Sequence, residues 1–275
     1  MTDTQIDGTT QPADPNEGAI RFSVEGPIAT ILIDRPRKLN AITSVMDARM
    51  NELYYQVNQM DEVRVLVLRG AGERAFCAGS DINDLGTYGT RWQQRNRMFA
   101  RKDYVWGLLT VRKPVVVAVR GYAWGGGLEL CTASDIRIGS ETASFCAAEV
   151  RNGWHGGSGG TQLLARVLGP GKAAEMLMMG DPIDAAEAYR CGLLTRLVPD
   201  ADLESTAYAM AARIAEKGPI VMESVKNMIR VAQDTSLSVG LAYENDMFAY
   251  LMTTKDADEG RAAFAEKRSP VFRGE

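Results

Sequence analysis

The sequence predicts an α/β protein with a helical C-terminal region, and three observations carry that prediction. Strand-like and helix-like segments alternate through most of the chain, the order expected of a layered α/β fold. The run Pro114–Val119 (PVVVAV) holds no polar side chain, which suits a strand covered on both faces in a parallel sheet with helices packed outside. From Ala201 to Lys267 nearly every stretch reads as helix, with breaks at Gly218-Pro219 and around Thr235. The expected division is therefore an α/β body over residues 19–199 and a helical region over residues 200–275, with a boundary near Pro199.

In chain order, Ile20–Val24 and Ile28–Ile33 are short β-rich runs separated by Glu25-Gly26-Pro27, a hairpin signal. Between Ser44 and Met60 the apolar residues Met46, Met50, Leu53, Tyr54 and Val57 recur at helical spacing. Val63–Leu68 is a further strand, followed by a loop containing Ala71-Gly72 and Ala78-Gly79. A longer helical stretch covers Arg91 to Leu109, ahead of the buried strand. Strands thus recur after crossover helices rather than after tight turns, and no repeat or low-complexity segment interrupts the pattern.

Composition narrows the function. Apolar residues at 45% and charged residues at 24% of 275 are ordinary for a soluble globular chain, long enough for one large domain or two small ones. A net charge of −4 gives no basic surface for nucleic acid, though a local pocket can still hold a phosphorylated ligand. No apolar run reaches the ~18 residues of a membrane span. The four cysteines, Cys77, Cys131, Cys146 and Cys191, have no CxxC spacing and read as small buried hydrophobes in a reducing setting. With one histidine and scattered cysteines, no metal-ligand set is expected. Residues 1–18 are polar and acidic, without arginine or an apolar stretch, and read as a disordered tail rather than a leader. A cytoplasmic protein is the expectation.

The stretch from Val116 to Gln162 is the most informative. A buried strand leads through Arg120-Gly121-Tyr122-Ala123-Trp124 to Gly125-Gly126-Gly127 and then to a helix opening Leu128-Glu129-Leu130. Three glycines let backbone approach a ligand closely, and a helix N-terminus leaves N–H groups unpaired. Half of an oxyanion hole has this form, and so does a plain tight strand-to-helix connection. A second small-residue loop, Ala75-Phe76-Cys77-Ala78-Gly79-Ser80-Asp81-Ile82, also follows a strand and could supply the other donor. Glu129 stands at the edge of the glycine triplet, and Glu149 follows in apolar company, Phe145-Cys146-Ala147-Ala148-Glu149-Val150. Apolar surroundings raise a carboxyl's proton affinity and suit it to acid/base work, although a solvated or salt-bridged glutamate is the commoner case. Spacing alone does not place the two in one pocket.

Gly121-Tyr122-Ala123-Trp124-Gly125-Gly126-Gly127-Leu128-Glu129-Leu130, followed by Asp135, closely resembles the signature of the crotonase (enoyl-CoA hydratase/isomerase) superfamily. The likeness continues in register through Asp34-Arg35-Pro36, Leu39-Asn40-Ala41, Phe76–Ile82, Gly159-Gly160-Thr161-Gln162, Gly192-Leu193 and Val198-Pro199, to Asp258-Glu259-Gly260, Ala263-Phe264 and Glu266-Lys267-Arg268. It implies a spiral of ββα repeats with a helical C-terminal trimerisation region. It also implies an oxyanion hole made by the backbone N–H groups of Ser80 and Gly126, holding the thioester carbonyl of an acyl-CoA. Both hydratase glutamates are matched: Glu129 would orient and deprotonate water for attack at C3, and Glu149 would deliver a proton to C2. By the same likeness, Arg37, Lys38, Ala78, Asp81, Ile82, Phe248 and Lys267 would hold the CoA moiety, the last two across a subunit boundary. No separate cofactor is implied, since coenzyme A enters as part of the substrate. A homotrimer or a dimer of trimers is the implied assembly.

Three departures or competitors bear on this reading. Ser80 stands where relatives often have alanine, which is tolerable because only the amide is required. Asn83 replaces the usual lysine after the aspartate-isoleucine pair, and Arg151-Asn152-Gly153-Trp154-His155-Gly156 replaces an apolar, proline-containing loop that borders the acyl pocket. His155, the one histidine, is thus either structural, merely exposed, or part of a reshaped pocket. Gly156-Gly157-Ser158-Gly159-Gly160 matches G-x-S-x-G, but no strand precedes it and the histidine lies before the serine, against the hydrolase order. Gly169-Pro170-Gly171-Lys172 lacks the leading glycine and the Ser/Thr of a phosphate loop. Hydration of a 2-enoyl-CoA is the expectation. The competing readings are isomerase, hydrolase or lyase chemistry at the same site, or a non-catalytic acyl-CoA-binding member.

Overall fold

The computed structural model describes residues 18–85, 90–100 and 102–275, so the tail expected over residues 1–18 lies outside the described residues but for Gly18. The strands, in chain order, are β1 (Ala19–Glu25), β2 (Ile28–Asp34), β3 (Val65–Gly70), β4 (Ala75–Cys77), β5 (Val115–Val119), β6 (Tyr122–Trp124), β7 (Ile136–Ser140), β8 (Ser144–Cys146), β9 (Ile183–Asp184) and β10 (Arg196–Val198). Gly26 at φ +55 and Pro27 turn β1 into antiparallel β2, with Glu25 facing Ile28. The hairpin signal therefore reads correctly.

Two sheets then grow together. After β3 and β5 the chain adds one short strand, β4 or β6, to a second sheet before a helical segment returns it to the first; after β7 it adds β8 and, past a helix, β9 before β10 rejoins the first. The larger sheet has the order β1-β2-β3-β5-β7-β10 and the smaller β4-β6-β8-β9. All pairs in the larger sheet beyond the hairpin are parallel, as are β4–β6 and β6–β8. Each ββα unit shifts both sheets by one strand, which makes a spiral. Helix α1 (Ser44–Gln59) follows β2. Three short helices, α2 (Ile82–Leu85), α3 (Arg91–Phe99) and α4 (Tyr104–Leu109), follow β4. Helix α5 (Gly126–Ala133) follows β6, α6 (Gly160–Met179) follows β8, and α7 (Ala185–Arg190) joins β9 to β10. The C-terminal helices are α8 (Leu203–Ala215), α9 (Pro219–Asp234), α10 (Leu237–Leu251) and α11 (Lys255–Glu266).

Alternation along the central strands builds two cores. Leu66, Leu68, Val115, Val117 and Val119 face the main core with α1, α4 and α5. Val65, Val67, Val116, Ala118 and Ile138 face a smaller core closed by α8. On α8 the residues Ala207, Ala211 and Ala215 lie four apart on one face, and their small side chains let the helix lie close on the sheet. That two-sided covering explains why β5 carries no polar residue.

The segment between β2 and α1 braces the small sheet. Asn40, fully buried and at φ +56, accepts the Arg35 N–H through Oδ1 (2.9 Å) and donates through Nδ2 to the carbonyls of Ala71 (2.9 Å) and Ala75 (2.7 Å). The Ala78 N–H in turn donates to the Leu39 carbonyl, and Ile42 and Asp81 clamp the loop with reciprocal backbone bonds to Gly79 and Ile42. Asn40→Ala strands these buried groups, and we expect it to destabilise the fold by about 3 kcal/mol, read from the chemical denaturation midpoint. An unchanged midpoint would mean the loop is held by other means.

Two readings of the sequence differ from the structure. The helical stretch expected over Arg91–Leu109 is two helices, because the Asp103 carboxylate accepts the N–H groups of Val105 (2.9 Å) and Trp106 (3.0 Å) and starts α4 afresh. A further break falls at Thr254, whose hydroxyl caps α11 by accepting from Ala257 N. The three-residue strands of the small sheet were not separable from loop by pattern, since alternation needs more residues than they have.

Candidate active site

The two glycine-bearing loops meet edge to edge. Gly79, at φ +94, lies so close to the triplet that a methyl on it would fall 2.8 Å from the Gly126 nitrogen. Each glycine of the triplet has its own cause: Gly125 adopts φ +54, ψ −126, a methyl on Gly126 would fall 1.9 Å from the Tyr104 hydroxyl, and one on Gly127 would fall 1.9 Å from the Cys77 carbonyl oxygen. The Gly126 N–H opens α5 and the Ser80 N–H ends the β4 loop. Among the described residues neither donates to a protein acceptor. The chain thus brings two unpaired amides into adjoining turns at the ends of adjacent strands β4 and β6.

Both glutamates point into this region. A methyl on Gly156 would lie 2.5 Å from Glu129 Oε1 and 3.4 Å from Glu149 Oε1, and one on Gly125 would lie 3.4 Å from the same Glu149 oxygen. Glu129, in the first turn of α5, is buried, and its Oε1 accepts the N–H groups of Ser158 (3.1 Å) and Gly160 (3.0 Å). Burial, followed by the charge of Glu149, pushes the Glu129 carboxyl up to about 7 despite those two donors. Glu149 sits in a short helical turn over Ala148–Asn152 that Gly153 ends at φ +85. Burial raises its carboxyl also, while its own backbone N–H and His155 pull the other way.

The loop after β8 is tied down by a residue that sequence reasoning missed. Asp103 caps α4 with Oδ1 and accepts the Ser158 hydroxyl through Oδ2 (2.9 Å), which holds Ser158 N over Glu129. An aspartate ahead of Tyr104-Val105 is a capping signal that could have revealed it. Trp154 and His155 are exposed at the rim, and His155 Nδ1 lies 2.8 Å from the Gly156 carbonyl. Ser158 has the short turn and loop before it rather than a strand, and Gly169-Pro170 is a kink inside α6, in keeping with setting both other motifs aside. Burial pushes the Cys77 thiol up to about 12, consistent with an inert hydrophobe.

The residues expected around CoA divide. Ala78, Asp81 and Ile82 flank Ser80. Asp81 is ion-paired with Arg35 (2.7 Å), which holds its carboxyl below the usual range, and it accepts from Asn83, while Ile82 is 65% exposed. Arg37 and Lys38 are exposed on the turn Pro36–Lys38. Phe248 projects from α10, which packs along α9, and Lys267 ends α11 at φ +55. Neither joins the hydrogen-bond network around the glutamates. Among the described residues no group of His, Cys, Asp and Glu forms a metal site, and no helix is long and apolar enough to cross a membrane.

A spiral of ββα repeats carrying a helical C-terminal region, with unpaired amides and carboxyl groups at one strand end, defines a crotonase-type protein. The family model "Enoyl-CoA hydratase/isomerase" matches residues 23–275, and the chain belongs to that family, which acts on acyl-CoA substrates. It is similar to the short-chain-enoyl-CoA hydratase of Clostridium acetobutylicum, at 34% identity over 249 residues, 89% of this chain and 93% of the relative. It is similar also to the (E)-benzylidenesuccinyl-CoA hydratase of Thauera aromatica, at 32% identity over 259 residues, 93% of this chain and 99% of the relative. The crystal structure of an enoyl-CoA hydratase from Bacillus anthracis superposes with a TM-score of 0.88 at 34% identity, covering 93% of this chain and 99% of that one.

Proposed function

We propose that the protein hydrates the 2,3 double bond of a 2-enoyl-CoA thioester. The observation that carries this is the convergence of Glu129 and Glu149 on Gly156 beside the unpaired amides of Ser80 and Gly126. In this reading the two amides hold the thioester oxygen and stabilise the negative charge it gains as C3 is attacked. Glu129, its Oε1 fixed by two N–H donors, takes a proton from water as the oxygen bonds to C3. Glu149 gives a proton to C2, and the enolate collapses to the 3-hydroxyacyl thioester. The net change is the addition of one water, and the pair resets by returning one proton from Glu129 to Glu149. Keeping both carboxyl groups favours hydration over isomerase, hydrolase or lyase variants, and over simple acyl-CoA binding.

Coenzyme A enters with the substrate, and Arg37, Lys38, Ala78, Asp81, Ile82, Phe248 and Lys267 are the proposed contacts. Helix α10 has no buried residue and exposes Leu237, Leu241 and Phe248, which supports a homotrimer or dimer of trimers. A cytoplasmic location is part of the same proposal.

The test is incubation with crotonyl-CoA and longer 2-enoyl-CoAs, following loss of the conjugated thioester and formation of the 3-hydroxy product. No hydration at any chain length would sink the reading. The pH profile is expected to be bell-shaped, because the productive pair holds one proton between its two members. The rate rises as the first proton leaves, above the ordinary carboxyl range since both groups are raised, and falls as the second leaves at about 7. The profile depends on the pair's holding one proton, not on which glutamate holds it.

A further inference from the structure

We infer that Tyr104 is a positioning residue of the oxyanion hole, acting through the hydroxyl of Ser80; the inference rests on the hydration reading above. Tyr104 opens α4, is buried, and carries its phenol into the angle between the two small-residue loops. Its oxygen lies 3.1 Å from Ser80 Oγ and against the α-carbon of Gly126, where a methyl would come within 1.9 Å of it. One hydroxyl therefore touches both residues whose amides form the proposed hole.

The direction of the bond follows from satisfaction. Among the described residues Ser80 Oγ is the one hydrogen-bond partner of the phenol. A phenol has a single proton, and in a buried site that proton needs an acceptor. If Ser80 donated, the phenolic proton would be left without one. Tyr104 consequently donates and Ser80 accepts. Burial, with Cys77 and Glu129 nearby, keeps the phenol protonated across the working pH range.

The alternative is that Tyr104 only fills space. Its backbone placement speaks against that: Asp103, the preceding residue, is the cap of α4 and also holds Ser158, whose N–H holds Glu129. The start of α4 thus fixes the hole through Tyr104 and the carboxyl through Asp103. Alanine at position 80 would leave the buried phenol without this acceptor.

The test is a cycle of Tyr104→Phe, Ser80→Ala and the double variant in the full chain. Each single variant is expected to lower kcat for enoyl-CoA hydration by about tenfold with KM within about twofold, because an amide displaced from the oxyanion matters most in the transition state. The double variant is expected to be about as slow as either single variant, since each alone already removes the one bond that positions the amides. Wild-type kcat in either single variant, or a double variant as slow as the product of the two, would overturn the inference. The infrared carbonyl frequency of bound hexanoyl-CoA, carbon-13 labelled at the thioester, reads the hole without turnover. Both single variants should move it toward the free value. Wild type inactive on every enoyl-CoA, with this shift still present, would sink the hydratase reading and leave the positioning role standing. An unmoved frequency would overturn the positioning role itself.

Discussion

Glu149→Gln is expected to lower kcat for hydration by about 10²–10⁴-fold with KM changed little. The substitution keeps the size and planarity of the side chain and removes its exchangeable acid proton, so the loss reports chemistry rather than packing. Glu149 is partly exposed on a short turn and no side-chain partner is stranded by the change. A second consequence has a defined sign. The charge of Glu149 is one of the causes holding the Glu129 carboxyl at about 7, after burial. Neutralising position 149 lowers the Glu129 proton affinity, so the titration of the residual rate should move to lower pH. Glu129→Gln should cost a similar factor, since the amide oxygen can still accept from Ser158 and Gly160 while the base is gone. Full activity in Glu149→Gln would take that residue out of the proton path. The site would then have to be read as one of the single-carboxylate variants of the same machinery.

How far the site was legible in the sequence depends on how local each part is. The β5–β6–Gly-Gly-Gly–α5 unit lies within Val115–Ala133, and its buried strand, its glycines and Glu129 could be read in order. Pairing Glu129 with Glu149 needed the resemblance, because the two meet only through the Gly156–Gly160 loop folding back over α5. Asp103 and Tyr104 were hidden inside what read as one continuous helical pattern. Their partners, Ser158 and Ser80, lie 55 and 24 residues away, a separation that no spacing rule reaches. The small sheet was hidden for a different reason: its strands carry three residues or fewer, and their pairing is set by the spiral rather than by their own composition. Breaks at Gly218-Pro219 and Thr235 were visible because a helix-starting proline and a capping position announce themselves locally, whereas the break at Thr254, whose hydroxyl caps α11, was not singled out.

Gly127→Ala should be the most damaging of the small substitutions, and the reason is backbone rather than side chain. Gly127 lies in the first turn of α5 at an ordinary helical φ, where alanine is intrinsically preferred by about 1 kcal/mol. The added methyl, however, would fall 1.9 Å from the Cys77 carbonyl oxygen and 2.8 Å from its carbon. Cys77 ends β4, is fully buried and pairs with Ala123 of β6, so it has no free direction in which to yield. Helix α5 must therefore lift from the small sheet, carrying the Gly126 amide and Glu129 with it. We expect about 3 kcal/mol or more of lost stability by denaturation, and a fall in kcat of at least about 10²-fold in whatever remains folded. Gly171→Ala is the control. Gly171 also lies within a helix, α6, but a methyl there meets nothing within 4 Å, so stability should hold or rise by up to about 1 kcal/mol. If both variants behave alike, the close seating of α5 on β4, and with it the geometry assigned to the hole, is wrong. If they diverge as expected, the third glycine of the triplet serves the close packing of α5 on β4.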